Sequence, residues 1–85
     1  MQELIHFTAD WCQPCKKMAP MIDKFIEDNP NIKYTKYNVD DKESMLAVEE
    51  FVVRGVPTFV VLEDNEIKNR HTGAATPDKF ASLFA

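Results

Sequence analysis

The chain has 85 residues, 45% hydrophobic and 11% aromatic, enough for one packed core over residues 1–85 and too few for a second. Its formal charge of −4 argues against nucleic acid or an anionic membrane surface as the main partner. No apolar run approaches the roughly twenty residues that span a bilayer, and MQELIHF lacks a basic stretch leading into an apolar core, so the expectation is a cytoplasmic monomer without a signal peptide.

Residues 3–9, ELIHFTA, are rich in strand formers and predict the first strand. From Cys12 the pattern turns helical: Met18, Met21, Ile22, Phe25 and Ile26 form one apolar stripe. Pro14 falls in the first turn, where its missing N–H is harmless, whereas Pro20 should kink the interior. The run D-N-P-N at 28–31 ends the helix, because Pro30 moves Asn29 out of the α region. IKYTKYNV at 32–39 alternates and predicts a second strand. DDKESMLAVEEFVV at 40–53 predicts a second helix, capped by Asp40 or Asp41, with Met45, Val48 and Val52 as its buried edge.

After Gly55, PTFVVLE at 57–63 suits a central strand, and D-N at 64–65 a turn into a hairpin partner, EIKNRHT at 66–72, near an edge. Thr76 caps a last helix with Pro77 at its first position and Phe80, Leu83 and Phe84 facing inward. The order β-α-β-α-β-β-α, with a right-handed first crossover, gives an α/β fold: a four-stranded mixed sheet flanked by three helices.

Cys12 and Cys15 are the only cysteines. Zinc would need four ligands, and the only histidines, His6 and His71, lie on strands away from knuckle spacing. A structural disulfide would close so short a loop that it removes little entropy from the unfolded chain. Redox chemistry suits each position better. Cys12 follows a strand and opens a helix, where unpaired N–H groups favour a thiolate and make it the nucleophile. Cys15, one turn on, is placed to attack a mixed disulfide at Cys12. Far away in sequence, Val56-Pro57-Thr58 puts proline at the mouth of a central strand. Either a cis Val56–Pro57 bond in a tight bend or a trans proline that merely opens the strand accounts for it.

These residues resemble those of the thioredoxin family. W-C-Q-P-C-K is similar to its W-C-G-P-C-K site, Ala19-Pro20 to the kinked active-site helix, and G-V-P-T at 55–58 to its cis-proline loop. K-Y-N-V-D at 36–40 and T-G-A at 72–74 also match, and the likeness runs from about residue 3 to the end without the N-terminal strand and helix of full-length thioredoxins. The fold implied is a minimal thioredoxin fold. The resemblance implies a reversible Cys12–Cys15 disulfide, with Cys12 attacking and Cys15 resolving, and with Pro57 as the cis-proline. Trp11, Gln13, Pro14, Val56, Thr58, Gly73 and Ala74 would surround the disulfide and meet the substrate. An extended substrate segment would pair beside Val56 as a short strand. Trp11 also suits a partly buried anchor, and Gly73 a simple turn. Partners implied are disulfide-containing proteins and a thioredoxin reductase, with no bound cofactor and no metal.

Two departures stand out. Gln13 replaces the usual glycine between the cysteines, which leaves reduction potential and partner choice open. His6 stands where the family usually buries an aspartate that moves the proton of the second cysteine, beside a lysine that Lys36 matches. Next to Lys36 in a low-dielectric pocket, His6 should be largely neutral. It then either accepts the Cys15 proton or is a strand histidine, hydrogen-bonded or solvated, without a role. A glutaredoxin-like enzyme using glutathione, and a partner-binding module with incidental redox chemistry, are the rival readings. The first is weakened by W-C-x-P-C-K and the absence of a G-G-x-D-like run. The second is weakened by the joint presence of both cysteines and the Val56-Pro57-Thr58 loop.

Overall fold

The computed structural model describes residues 1–85, in the order β1 (Gln2–Thr8), α1 (Gln13–Asp28), β2 (Lys33–Asn38), a 3-10 turn (Lys42–Ser44), α2 (Met45–Glu50), β3 (Thr58–Glu63), β4 (Glu66–Thr72) and α3 (Pro77–Ser82). The strands lie in the order β2-β1-β3-β4, with β1 parallel to β2 and both remaining pairs antiparallel. The four-stranded mixed sheet expected from the patterning is therefore present, with the β-branched run of β3 at its centre and β4 at an edge.

Alternation along the two central strands creates two different faces. On one, Leu4, Phe59 and Val61 meet Met18 and Ile22 of α1, Ile32, and Phe80 and Leu83 of α3, all buried. Met21, Phe25, Ile26 and Phe84 pack around them, so the predicted stripes of α1 and α3 do face inward. The Phe80 ring stands edge-on to Phe25 and Phe59, with centroids 5.1 and 5.2 Å away. The helix α1 continues through Pro20 to Asp28, where the Asn29 side-chain amide donates to the Phe25 carbonyl at 2.8 Å and closes the end. At α3, Thr76 Oγ1 accepts from the Lys79 N–H at 3.2 Å, and Pro77 takes the first position.

The other face is thinner. Ile5, Phe7 and Val60 are buried there under half-buried Ala47, Val48, Phe51 and Val53. The second helix is much shorter than 40–53, and its buried edge differs from the expected one. Met45 is 56% and Val52 55% exposed. Asp41 leads the 3-10 turn without a side-chain capping bond, and Ala47, Val48 and Phe51 form the inward stripe. The larger ring at Phe51 takes the place over Phe7, 6.0 Å between centroids.

The end of α2 explains why Val52 leaves the helix. The Val52 N–H donates to the Glu49 carbonyl and the Val53 N–H to the Val48 carbonyl, the crossed pair of bonds of a Schellman turn. Its left-handed position, normally glycine or asparagine, is Val52 at φ 51°. A β-branched residue there costs roughly 1–2 kcal/mol. Arg70, opposite Val60 on β4, donates from its guanidinium to the Phe51 carbonyl and, at 2.9 Å, to the Val52 carbonyl. Asp64 and Asn65, at φ 53° and 70°, form the two-residue turn between β3 and β4.

Candidate active site

The chain leaves β1 at Thr8 and turns back so that the Cys12 N–H donates to the Ala9 carbonyl at 3.1 Å. Cys12 is extended, with φ −84° and ψ 106°, and serves as the N-cap of α1. Its Sγ accepts the Cys15 N–H at 3.2 Å. Pro14 sits in the first turn and leaves no donor unpaired. Cys12 and Cys15 are joined as a disulfide with Cα atoms 5.2 Å apart. With Ala9 they form a small buried cluster against Val39 and Val56, while Gln13 and Pro14 beside them are exposed.

The opposite wall comes from the segment before β3. The Val56–Pro57 bond is cis, which decides between the two conformations the sequence left open. The Pro57 carbonyl accepts the Gly73 N–H at 2.8 Å and ties this loop to the end of β4. Gly73 has φ 105°, where a side chain would be strained, so the turn itself requires glycine, and the space where a Cβ would sit is open. Ala74 is exposed beside it. Thr58 does not face this space: it is fully buried, its hydroxyl donating to the Gly55 carbonyl at 2.6 Å and lying 3.2 Å from Thr72 Oγ1. It shapes the loop from inside, and direct contact of its side chain with a substrate is ruled out.

Trp11 is 64% exposed, and its Nε1 donates to Asp40 Oδ2 at 2.9 Å. The ring therefore lies on the surface, with its polar edge fixed. It borders an open apolar groove of about 190 Å³ whose other sides include Val39, Val48, Val53, Gly55 and Val56. A separate, more polar cavity of about 540 Å³ is lined by Cys15, Lys36, Asp10 and Asp41 among others.

His6 and Lys36 are opposite one another on β1 and β2, as the spacing anticipated, but they lie in different surroundings. Lys36 is exposed and lines the Cys15 cavity. His6 is 3% exposed, its ring stacked 4.8 Å from Phe59, which removes the solvated reading. Burial, with the Lys36 charge adding to it, pushes its pKa down to about 4, so the imidazole is neutral at physiological pH. Its Nδ1 lies 2.9 Å from the Tyr34 hydroxyl, while Nε2 is buried with no hydrogen-bond partner. Burial and the Asp23 charge raise Tyr34 to about 12, so this phenol stays protonated.

Sequence reasoning missed Tyr34, Asp40 as the partner of Trp11, and the groove residues Val39 and Val53. Asp40 carries a legible signal, since K-Y-N-V-D at 36–40 matches the family as a unit; Tyr34 and Val53 reach the site only through sheet register and the α2 turn. No group of three or more His, Cys, Asp or Glu side chains is arranged to hold a metal ion, and no helix is long and apolar enough to cross a membrane.

The family model described as thioredoxin matches residues 1–85. Thioredoxin H3 of Arabidopsis thaliana is 35% identical over 80 residues, covering 94% of this chain and 66% of that protein. Thioredoxin of Haemophilus influenzae is 34% identical over 82 residues, covering 95% of this chain and 75% of that protein. Against several relatives the chain is shorter, spanning 66%, 46% and 59% of thioredoxin H3, thioredoxin-2 of Pyricularia oryzae and thioredoxin H5 of Arabidopsis thaliana. The oxidised mitochondrial thioredoxin 3 of Saccharomyces cerevisiae superposes with a TM-score of 0.84 at 34% identity, covering 95% of this chain and 74% of that one. With a C-x-P-C pair closed as a disulfide at a helix N-terminus and a cis-proline loop near it, the chain belongs to the thioredoxin family.

Proposed function

We propose that the chain is a thiol–disulfide oxidoreductase that reduces protein disulfides through Cys12 and Cys15 and is recharged by a thioredoxin reductase. The observation that carries this reading is the Cys12 sulfur seated as helix N-cap, with the Cys15 N–H aimed at it. A sulfur anion at that place meets a donor and the positive end of a 16-residue helix. The Cys12 thiolate attacks one sulfur of the substrate disulfide, breaking that S–S bond and releasing one substrate thiolate, which takes a proton. The Cys15 thiolate then attacks the Cys12 sulfur, closes Cys12–Cys15 and releases the second substrate thiol. Two electrons have passed to the substrate, and the reductase returns two.

In this reading the exposed Trp11, Gln13, Pro14 and Ala74 and the half-buried Val56 and Gly73 meet the substrate, with Pro57 holding Val56 beside it. Lys36 lines the Cys15 cavity, together with Lys16, Asp10 and Asp41, and is one of the charged groups that face the space where a proton leaves. His6 can take the Cys15 proton only as the tautomer whose Nδ1–H donates to Tyr34, leaving Nε2 bare. A base shifted to about 4 holds that proton weakly, so its contribution is modest. His6→Ala should slow resolution by Cys15 about fivefold and attack by Cys12 less, well under the roughly 10²–10⁴ of a well-matched acid–base group. Rates of both steps left unchanged by His6→Ala between pH 6 and 8 would leave the histidine structural.

The decisive experiment is trapping. Cys15→Ser should accumulate a mixed disulfide with a disulfide-bonded protein, and Cys12→Ser should not; equal trapping by both, or by neither, overturns the assigned roles. Turnover with NADPH and thioredoxin reductase, set against glutathione with glutathione reductase, tests the electron source. Faster turnover with glutathione would reverse it. A monomer in the cytoplasm is the setting we propose, since one C-x-x-C pair without structural bridges suits a reducing compartment. Cell fractionation and sedimentation check both points.

A further inference from the structure

The groove beside the disulfide depends on a short piece of backbone that the sequence should not favour. Val53 and Val56 line it; Val53 follows directly from the turn that ends α2, and Val56 lies three residues further along the same segment. That turn needs a left-handed residue, and Val52 supplies one at φ 51° although it is β-branched and more than half exposed. Nothing buried rewards valine at this place. What holds the turn instead is Arg70, reaching across from the edge strand β4 to the carbonyls of Phe51 and Val52. Those two carbonyls lie at the negative end of α2, beyond the intrahelical bonds, where a cation with a forked donor is doubly suited.

We propose that Arg70 is a positioning residue for substrate docking, clamping the left-handed Val52 turn so that Val53 and Val56 stand as one wall of the groove next to Cys12. The inference rests on the oxidoreductase reading for its consequence, and on geometry alone for the clamp. Arg70 touches neither sulfur, so its loss acts on how a protein substrate is held and leaves the bond-making steps to the cysteines. The valine makes the clamp necessary: glycine at 52 would adopt the same turn unaided.

The test uses insulin as the disulfide substrate and dithiothreitol as reductant, together with amide exchange of the full chain. Arg70→Met should raise KM for insulin about fivefold while kcat changes by less than about twofold. Adding Val52→Gly to Arg70→Met should return KM to within about twofold of the parent. In parallel, the Val53 amide, bonded to the Val48 carbonyl, should exchange about tenfold faster in Arg70→Met and recover in the double variant, with the Phe59 amide unaffected. Should Arg70→Met fail to fold, Arg70→Lys, which keeps the charge and loses the fork, takes the same measurements. An unchanged KM, a fall in kcat equal to the rise in KM, or a KM that Val52→Gly leaves high overturns the proposal. A parent chain unable to reduce insulin would overturn the oxidoreductase reading and the docking role together, while the exchange result still decides the clamp.

Discussion

The two faces of the sheet are built to different standards. The face under α1 and α3 is dry and thick, with eight buried apolar residues and a phenylalanine group locked edge to face. The face under α2 has three, and that helix buries none of its own residues. Yet the apolar groove we propose for substrate docking opens on the thin side, between Trp11 and the end of α2. If the groove takes the substrate as proposed, stability and recognition are separated across one sheet, and the face that admits a partner keeps its apolar side chains half in water.

The largest effects on stability belong to the thick face. Phe80→Ala removes a fully buried ring that touches both Phe25 and Phe59 and should cost about 3–5 kcal/mol in denaturant unfolding. The folded fraction should still form the Cys12–Cys15 disulfide at the parental rate. A loss under about 1 kcal/mol would mean that the two faces share the load.

His6 lies on the same face and makes it sensitive to acid. Its folded pKa of about 4 lies below the unfolded 6.5, so the unfolded chain binds the extra proton first. Stability is intact above 6.5 and falls as pH drops toward 4, by roughly 3 kcal/mol across the window. His6→Gln should flatten that part of the pH–stability curve, measured as the difference between parent and variant. Identical slopes would show that the imidazole is protonated without penalty.

How much of this was legible follows the same division. β1, α1, β3 and α3 were readable because period and burial agree there: the α1 stripe and the β-branched run of β3 have only one face or one layer to occupy. Cys12, Cys15 and the Val56-Pro57 bend were readable because chemistry fixes their spacing. The short α2 was not, because its apolar residues fit two stripes, and the winning one depends on Phe51 finding Phe7 across the fold. His6 was correctly expected to be neutral, but its seat against Tyr34 and Phe59 follows from sheet register and packing, which composition cannot show.

On the thin face, Phe51→Ala sharpens the contrast. The ring is half-buried over Phe7 and precedes the left-handed turn, so its loss should cost about 2 kcal/mol, less than Phe80→Ala, and should also raise KM for a protein disulfide. The pairing matters more than either number. Phe80→Ala is expected to move stability alone, and Phe51→Ala both; a Phe51→Ala variant with parental KM would detach the groove from the packing beneath it.

The smallest expected effect is also informative. Leu46 is 81% exposed on the outer side of α2, next to exposed Met45 and among Glu43, Glu49 and Glu50. Leu46→Ser removes little buried area, so unfolding free energy should stay within about 0.5 kcal/mol of the parent. It lies outside the groove lining, so KM for insulin should also stay put. If KM rises while stability does not, the docking surface continues from the groove onto the outer face of α2, and the thin side of the sheet is a recognition surface over more than its mouth.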